Sequence, residues 1–356
     1  MAAAGVDVLL LSAEADLPWL TGYEAMPLER LTLLVLPSDA QATLLVPRLE
    51  APRVVPRPDL FTIQAWDETD DPLDLAAELV GPARRVAIGD QTWARFVLGL
   101  QQRLGGAAFE AAGTITGPLR AVKDEAEIEA LALAGAAVDR IATQLQQGEI
   151  ALIGRTEAEV SAELGRRILA EGHQRVNFAI VGAGENAASP HHEAGDRVIG
   201  PGEVVLCDFG GSMLTESGAA YCSDTTRCVY TGEPPAEFRE LYDVLALAQA
   251  AGVDAATVGR PAAEVDAAAR SVIVDAGYGD AFIHRTGHGI GVDEHEDPYI
   301  VSDNPTPLVA GNAFSIEPGI YIRGRWGARI EDIVVATDAG PRAVNSSDHD
   351  LVVVEA

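Results

Sequence analysis

The chain has 356 residues, of which 48% are hydrophobic and 22% are charged, a length and composition that predict about two domains of a globular protein. Its 54 acidic residues outnumber 25 basic ones, and the net charge of -29 opposes binding to nucleic acid or to an anionic membrane. The apolar runs are too short to span a membrane, and the N-terminus has no signal-peptide pattern, so we expect a cytoplasmic protein with no membrane partner. Three cysteines without a CxxC motif fit a reducing compartment and are expected to be small buried side chains: Cys207, Cys222 and Cys228.

The first part of the chain alternates short apolar strands with helical patterns, which predicts an α/β domain. Strands are expected at residues 6–11, 31–36, 42–46, 61–65 and 85–88, and helices at 71–80 and 92–102. Residues 16–23 are interpreted as an aromatic-bearing turn. The pattern changes near residue 119, so we predict an N-terminal domain at residues 1–118 and a second domain at residues 119–356.

The second domain is expected to begin with a long helix. Acidic residues fill its first turn after Lys123, and Leu131, Val138 and Leu145 recur every seven residues along one face. A capping-box pattern that begins at Thr156 predicts a second helix, which runs to about residue 171. Two more helices, at about 236–251 and 261–276, follow a β region, so we expect an α+β domain with helices outside an antiparallel sheet.

Two strand-like segments of this domain each carry an aspartate. Asp208 lies in an apolar strand at residues 204–211, and Asp224 lies in a second segment at residues 221–227. A carboxylate in an apolar strand is costly to bury unless it is paired or binds a metal. Asp208 is therefore a candidate metal ligand, whereas a turn or a salt bridge with Arg227 would explain Asp224 equally well.

A glycine-rich segment carries two histidines. His284 and His288 are four residues apart, which on a helix would suggest a zinc site. Glycine at every second position from Gly287 to Gly291 argues against a helix and favours a strand or an irregular loop approached closely by another group.

Two later strands each offer a carboxylate on one face. The strand period of two pairs Ser315 with Glu317, and it pairs Arg329 with Glu331. A half-solvated antiparallel sheet with a polar outer face is the alternative explanation for either strand.

Together these patterns supply four carboxylates and one imidazole within a single domain. Four like charges cannot share a pocket without cations, and two divalent ions bridged by carboxylates would neutralise them. Oxygen-rich ligation favours a hard ion such as manganese. The candidate ligands are Asp208, Asp224, His288, Glu317 and Glu331.

Five segments, in order, resemble the Xaa-Pro peptidases, prolidase and aminopeptidase P, within the larger "pita-bread" family related to methionine aminopeptidase. The segments are PHHEAGDRVIGPGEVVLCDFGG, YCSDTTR, HRTGHGIGVDEHEDP, FSIEPGIYI and GARIED. The similarity runs from about residue 120 to the end. The first 118 residues more loosely resemble the family's creatinase-like N-terminal domain, including LTGYEA near Gly22. The resemblance implies a C-terminal pita-bread catalytic domain preceded by a smaller α/β domain.

The resemblance also implies a dinuclear metal centre, with manganese favoured and cobalt or zinc as alternatives. Asp208 would chelate one ion, and Asp224 with Glu331 would bridge the pair. His288 and Glu317 would complete the shell of the second ion.

Substrate-side residues of the family also match positions in this chain. Any one histidine could instead be an ordinary surface or core residue, and His192 could be confused with its neighbour His191. Arg329 would hold Glu331 in place or neutralise the metal cluster, as groups behind metal ligands do. The matching positions are His191, His284, His295, Tyr321 and Arg329.

The implied reaction is metal-assisted hydrolysis of the bond before proline. Glu317 would move the proton, and His295 together with a metal would stabilise the oxyanion. His284 and Tyr321 are candidates for a wall that packs against the proline ring. Two other functions stay open, namely a creatinase-like hydrolase of a small carbon–nitrogen bond and a non-catalytic peptide-binding relative.

Within the leading class, the compact length favours a dipeptidase that acts on Xaa-Pro dipeptides over an aminopeptidase that acts on longer peptides. A dipeptidase needs a partner for the free carboxylate of its substrate, and Arg323, Arg325 and Arg329 are candidates, as is a residue of a neighbouring subunit. Family members are commonly dimers, so we expect a homodimer.

The spacing of the two aspartates departs from the family pattern. Asp208 and Asp224 are 16 residues apart, about five more than the resemblance leads us to expect, and the extra residues fall at 212–218. A longer hairpin loop would keep both aspartates in register, whereas a slip of one residue would turn Asp224 away from the metals. We favour the longer loop.

Overall fold

A computed structural model describes residues 1–354, and the chain divides into two units. The first unit consists of Met1–Arg120 together with a short later segment, Leu214–Ala220. The second unit consists of Ala121–Met213 and the chain from Tyr221 onward.

The first unit is a six-stranded mixed sheet with four helices. Its strand order is β4-β3-β2-β1-β5-β6, in which β1, β5 and β6 are parallel and β2 is antiparallel to both of its neighbours. The strands are β1 (Val8–Leu11), β2 (Leu33–Pro37), β3 (Ala42–Pro47), β4 (Phe61–Trp66), β5 (Arg85–Ile88) and β6 (Ala108–Ala111). The helices are α1 (Asp16–Thr21), α2 (Pro72–Val80), α3 (Ala94–Arg103) and α4 (Gly113–Arg120).

This sheet is covered on both faces. Side chains alternate along a strand, and Leu9 and Leu11 accordingly pack in one apolar cluster while Val8 and Leu10 pack in another. All four side chains are buried. A continuous apolar strand such as β1 is therefore explained by burial on both sides.

The second unit has four long helices and twelve strands among the described residues. The helices are α5 (Glu125–Gln146), α6 (Glu157–Ala170), α7 (Ala236–Ala255) and α8 (Ala262–Asp275). The strands are β7 (Arg175–Ala183), β8 (Val204–Leu214), β9 (Ala220–Cys222), β10 (Thr225–Thr231), β11 (Gly287–Gly289), β12 (Glu296–Ile300), β13 (Ala313–Ile316), β14 (Gly319–Ile322), β15 (Trp326–Arg329), β16 (Asp332–Thr337), β17 (Gly340–Ala343) and β18 (Val352–Val354).

Two sheets and a hairpin organise these strands. One sheet has the order β18-β10-β8-β7 with β9 beside β8, the other has the order β12-β11-β13-β16-β17, and β14 pairs with β15. Helices α5 and α6 pack on the first sheet, where Ile141 and Leu164 share a buried cluster with Phe209. Helices α7 and α8 pack on the second, where Val265 shares a cluster with Phe314. Helices thus cover predominantly antiparallel sheets, as the sequence predicts for this α+β domain.

Most predicted elements are confirmed to within a few residues, and the three cysteines are buried as expected. Three predictions of local structure were wrong. Residues 16–21 form a helix and not a turn. The Thr21 hydroxyl donates to Leu17 O and accepts from the Tyr23 N–H, and Gly22 ends the helix in the left-handed region at φ 69°. The segment 221–227 is divided between β9 and β10, and the segment 328–331 is not one strand, because β15 ends at Arg329 and β16 begins only at Asp332. Among the helices of residues 1–354, none combines the length and apolar character needed to span a bilayer.

Candidate active site

The register of two strands brings the aspartates together. Strand β10 runs antiparallel to β8 and places Thr226 opposite Asp208, so Asp224, which immediately precedes β10, lies near the same end of the sheet. The extra residues extend β8 to Leu214 and then form a loop before β9, and Ser223 still donates its N–H to Gly211 O. The expected longer loop is therefore observed, and Asp224 points into the cluster described below.

His288 reaches the cluster from a very short strand. Strand β11 lies between β12 and β13, and a Cβ atom at Gly287 would lie only 1.8 Å from Ser315 O. A Cβ atom at Gly289 would lie 2.3 Å from Asp297 O. The glycines on both sides of His288 are thus explained by the close approach of neighbouring backbone, as their pattern predicts.

The five candidate ligands converge on one place. Asp224, His288 and Glu331 offer atoms that all lie within 4.8 Å of one another. Glu317 Oε1 lies 3.3 Å from His288 Nε2, and Asp224 Oδ2 lies 3.8 Å from it. Asp208 lines the same cavity. The fold therefore brings four carboxylates and one imidazole together, although the sequence separates them by up to 123 positions.

The carboxylates are crowded in a way that suits cations. Burial raises the pKa of Asp224 well above its ordinary value, and the carboxylates of Glu331 and Asp208 raise it further. Burial, followed by repulsion from Glu317 and Asp208, does the same to the pKa of Glu331. Within residues 1–354, Asp208 Oδ1 and Asp224 Oδ1 are buried and have no hydrogen-bond partner. Bound cations would both neutralise this charge and coordinate these two oxygen atoms.

His288 has the protonation that a metal ligand needs. Its Nδ1 lies 3.1 Å from Gly289 O, and since a carbonyl only accepts, Nδ1 carries the proton. Burial lowers the pKa of His288 to about 4, so the ring is neutral at pH 7 and the lone pair of Nε2 faces Asp224 and Glu317. Neutral imidazole with the other nitrogen bonded to a carbonyl is the usual form of a ligating histidine.

Arg329 connects the ligand cluster to the predicted substrate side. Its Nη2 donates to Asp208 Oδ2 at 2.6 Å, and its Nη1 donates to the Tyr321 hydroxyl at 2.7 Å. That hydroxyl lies 2.9 Å from His284 Nε2, while His284 Nδ1 lies 2.7 Å from Arg285 O and so carries the proton. Tyr321 therefore donates to His284, whose pKa burial lowers.

Thr226 is a site residue that the sequence interpretation missed. Its hydroxyl accepts from Arg329 Nε at 3.1 Å and donates to Glu331 Oε2 at 2.6 Å. Arg329 ends β15, whereas Glu331 precedes β16 and forms an isolated bridge with Thr226. Arg329 and Glu331 do not share one strand, because the chain leaves its hairpin between them. Their side chains nevertheless lie on the same side, as expected, where the Thr226 hydroxyl links them.

A cavity of about 550 Å³ surrounds the cluster. His191, His284 and His295 all line it, and the His295 ring lies 3.8 Å from the ring of His288, centroid to centroid. Burial lowers the pKa of His295 to about 4. His192 points elsewhere, with Nε2 2.8 Å from Glu157 Oε2, so the geometry distinguishes the two adjacent histidines.

The cavity is also lined by a positively charged side chain that was not selected from the sequence. Arg285 lines the cavity and stacks over Tyr299 at 4.5 Å, and within residues 1–354 its guanidinium has no carboxylate partner. Of the arginines selected from sequence, Arg325 is bonded to Glu237 on the surface, Arg323 is exposed, and Arg329 is bonded to Asp208. The pattern HRTGHG drew attention to its histidines, and the arginine between them carried no distinguishing signal.

Comparison with protein families identifies both units. Residues 126–338 match the metallopeptidase family M24, and residues 1–122 match the creatinase/prolidase N-terminal domain. The chain is 44% identical over 355 residues to a probable dipeptidase PepE of Mycobacterium tuberculosis, covering 99% of this chain and 93% of the relative. It is 35% identical over 373 residues to a Xaa-Pro dipeptidase of Lactobacillus delbrueckii subsp. lactis, covering 98% and 95%.

Comparison with solved structures supports the same family assignment. The prolidase from Thermococcus sibiricus superposes with a TM-score of 0.91 at 33% sequence identity, covering 100% of this chain and 96% of that one. The two-domain architecture expected from the sequence, with a creatinase-type N-terminal domain before the catalytic domain, is thereby confirmed.

Proposed function

The chain belongs to metallopeptidase family M24 and is a metal-dependent peptidase, and from this we propose that it is a Xaa-Pro dipeptidase with two divalent metal ions. One observation carries the proposal. Four buried or nearly buried carboxylates and a neutral histidine surround one cavity, and two of the carboxylate oxygens lack any partner among residues 1–354.

We assign the metal ligands to the residues whose donor atoms meet there. Asp224 and Glu331 would each be a ligand, because a carboxylate oxygen of each and a ring nitrogen of His288 all lie within 4.8 Å of one another. Asp208 would hold one ion, and His288 with Glu317 would hold the second. Four carboxylates and a single nitrogen form an oxygen-rich set, which supports manganese, with cobalt or zinc as alternatives.

Such a pair of ions supplies Lewis-acid activation of a water and polarises the scissile carbonyl. The surrounding residues would move protons and orient the substrate. We assign to Glu317, whose Oε1 accepts from the Ser315 hydroxyl at 3.0 Å, the role of taking a proton and returning it to the leaving nitrogen. His295 and His191 line the cavity, and we propose that they donate to the carbonyl oxygen as its charge develops.

The bond before proline calls for a site that accepts a ring. That bond is a tertiary amide without an N–H, so recognition depends on packing. His284 and Tyr321 form a rigid pair, since each is fixed by the hydrogen bond between them and by Arg285 O or Arg329 at its other side. His284 lines the cavity, and we propose its ring, held by Tyr321, as one wall of the proline pocket.

Arg285 is our candidate for the residue that selects dipeptides. The proline of a Xaa-Pro dipeptide carries a free carboxylate, and Arg285 is a cation in the cavity with no carboxylate partner within residues 1–354. An arginine binds a carboxylate through two parallel N–H bonds. A longer peptide carries an amide at that place and lacks the matching charge.

We further propose that the protein is cytoplasmic and forms a homodimer. A monomer mass by light scattering would contradict the homodimer.

The first experiment compares a Xaa-Pro dipeptide with a Xaa-Pro tripeptide. Enzyme is treated with chelator, assayed, and assayed again after manganese is added back. We expect metal-restored cleavage of the dipeptide alone. Cleavage of the tripeptide would indicate an aminopeptidase, and activity of a protein shown by elemental analysis to lack metal would contradict the dinuclear centre.

Substitution of Arg285 tests the origin of dipeptide selectivity. The substrates are a Xaa-Pro dipeptide and its C-terminal amide. Loss of a charged hydrogen-bond pair should lower kcat/KM of Arg285→Met for the dipeptide about 10- to 100-fold, with little change for the amide. Arg325→Met, which removes a surface arginine paired with Glu237, is the matched control and should leave both substrates unaffected. An equal loss for dipeptide and amide would rule Arg285 out as the carboxylate partner.

A further inference from the structure

Glu157 is a fully buried carboxylate outside the cavity, and no step of the reaction uses it. It occupies the first position of helix α6. The capping of that helix does not need its side chain, because Thr156 and Glu159 bond reciprocally to each other's backbone N–H groups. The Glu157 carboxylate must therefore be explained by other contacts.

All hydrogen bonds described for the Glu157 carboxylate come from one segment, residues 183–192. The N–H of Ala183 donates to Oε1 at 2.8 Å, and the side-chain amide of Asn186 donates to both oxygens, at 3.0 and 3.1 Å. His192 Nε2 donates to Oε2 at 2.8 Å. A carboxylate only accepts, so His192 must carry its proton on Nε2.

This segment connects β7 to the wall of the cavity. It begins with the short 3-10 helix Gly184–Ala188, and Ser189, Pro190 and His191 then line the cavity. Two backbone hydrogen bonds also form within the segment: the Ser189 N–H donates to Asn186 O, and the His192 N–H donates to Ser189 O. Glu157 therefore fixes both ends of a compact turn.

His191 lies between the contacts that fix this turn. Its side chain is exposed, and within residues 1–354 the ring has no hydrogen-bond or ion-pair partner. The position of the ring therefore depends on the backbone of residues 183–192, from which the side chain extends. A shift of that backbone would move His191 relative to the cavity, and misplacement by about 1 Å is enough to lower a rate about 100-fold.

We propose that Glu157, acting through Asn186 and His192, is a positioning residue for His191. The inference rests on the proposed function only for the role of His191 toward substrate. The anchoring of residues 183–192 by the carboxylate is a separate property that can be measured without any substrate.

The test uses Glu157→Gln in the full-length, metal-loaded enzyme. Glutamine has the same shape but presents an NH2 group to Asn186 or His192, which should loosen the turn. Hydrogen exchange followed by mass spectrometry should become faster in peptides covering residues 183–192. Glu159→Ala removes a capping carboxylate of the same helix and no contact with the turn, so it should leave exchange there unchanged.

A double-mutant cycle then separates positioning from general stability. Glu157→Gln should lower kcat/KM about 10-fold in the wild-type background and less than about 2-fold in the His191→Ala background, because coupled residues are not additive. Unchanged exchange, or the same fold loss in both backgrounds, would overturn the proposal. A chain without Xaa-Pro activity would overturn the proposed function, and exchange would still decide whether Glu157 anchors the turn.

A second pair of variants keeps the test valid if Glu157→Gln does not fold. His192→Ala removes one donor to Glu157, whereas the amide nitrogen of His192→Gln can occupy the place of Nε2. We expect faster exchange and lower kcat/KM in the alanine variant and recovery of both in the glutamine variant. No difference between the two variants would count against the anchor.

Discussion

A single hydroxyl joins two charged groups of the active site. Thr226 accepts from Arg329 and donates to Glu331, so one small side chain fixes a cation and a metal ligand relative to each other. Its side chain is fully buried. Groups that orient metal ligands typically contribute about 10- to 100-fold to metal affinity.

Thr226→Val should therefore weaken metal binding about 10- to 100-fold while the fold is retained, because valine has nearly the same shape. Equilibrium dialysis against manganese with elemental analysis measures this directly. Thr231→Val is the matched control, since Thr231 lies on the same strand and bonds to Gly200 O and the Glu203 N–H. Equal affinities for the two variants would show that the Thr226 hydroxyl does not orient Glu331.

Glu14 in the first unit makes stability depend on pH. Burial raises its pKa from 4.5 to about 7, although the Gln91 N–H opposes the shift. The folded state thus keeps a proton that the unfolded state loses between these values. Its contribution to stability is fully present below pH 4.5 and is lost as pH rises through about 7.

We expect the wild type to lose about 1 to 3 kcal/mol relative to Glu14→Gln between pH 4.5 and pH 8, since solvent at this partly exposed site reduces the full effect. Denaturant unfolding of both proteins at the two pH values measures the difference. Glu78→Gln alters an exposed glutamate of α2 and serves as the control. A Glu14→Gln protein whose stability tracks the wild type at every pH would contradict the shift.

At the level of elements, helix α1 ends against the loop that follows β8. Gly22 has φ 69°, and a Cβ atom there would lie 2.3 Å from Ser217 O. Gly218, with φ 90°, approaches Gly22 O equally closely, at 2.5 Å for an added Cβ. Two of the extra residues between the aspartates, Ser217 and Gly218, are thus in backbone contact with Gly22 at the end of α1.

The variants Gly22→Ala and Gly148→Ala distinguish two reasons for a glycine at position 22, namely its left-handed backbone and the close approach of Ser217. Both positions are left-handed, at φ 69° and 73°, but nothing lies within 4 Å of a Cβ at Gly148. Left-handed backbone costs alanine about 1 to 2 kcal/mol at either site, and the clash adds to this only at Gly22. Thermal unfolding should show a loss at least about twofold larger for Gly22→Ala. Equal losses would mean that the loop moves aside freely.

At the level of the whole molecule, the sequence predicted those features that depend on local patterns of residues. Short apolar runs, helical periodicity and one capping box located most strands and helices, and the cost of burying a carboxylate at Asp208 indicated a metal site from residue chemistry alone. The motifs implied the remaining ligand candidates, all of which line the cavity. Their assigned roles stay predictions.

Long-range contacts of ordinary residues could not be predicted in this way. Thr226 and Glu157 belong to residue types that usually lie on surfaces or cap helices, and their importance depends on partners 26 to 105 positions away. The break between Arg329 and Glu331 depends on which strands pair, which local alternation does not determine. The pairing of strands in the tertiary structure therefore determined where these strands end, and the periodicity of the sequence did not.

The grouping of residues 214–220 with the first 120 residues has a consequence for synthesis. The ribosome releases Gly22 long before Ser217, and at about 5 to 20 residues per second the interval is about 10 to 40 seconds. During that time the end of α1 lacks the backbone that later covers it. A nascent chain or fragment that stops at Arg120 would present this end to solvent and to chaperones, so the N-terminal unit acquires this contact only after a large part of the catalytic domain has been made.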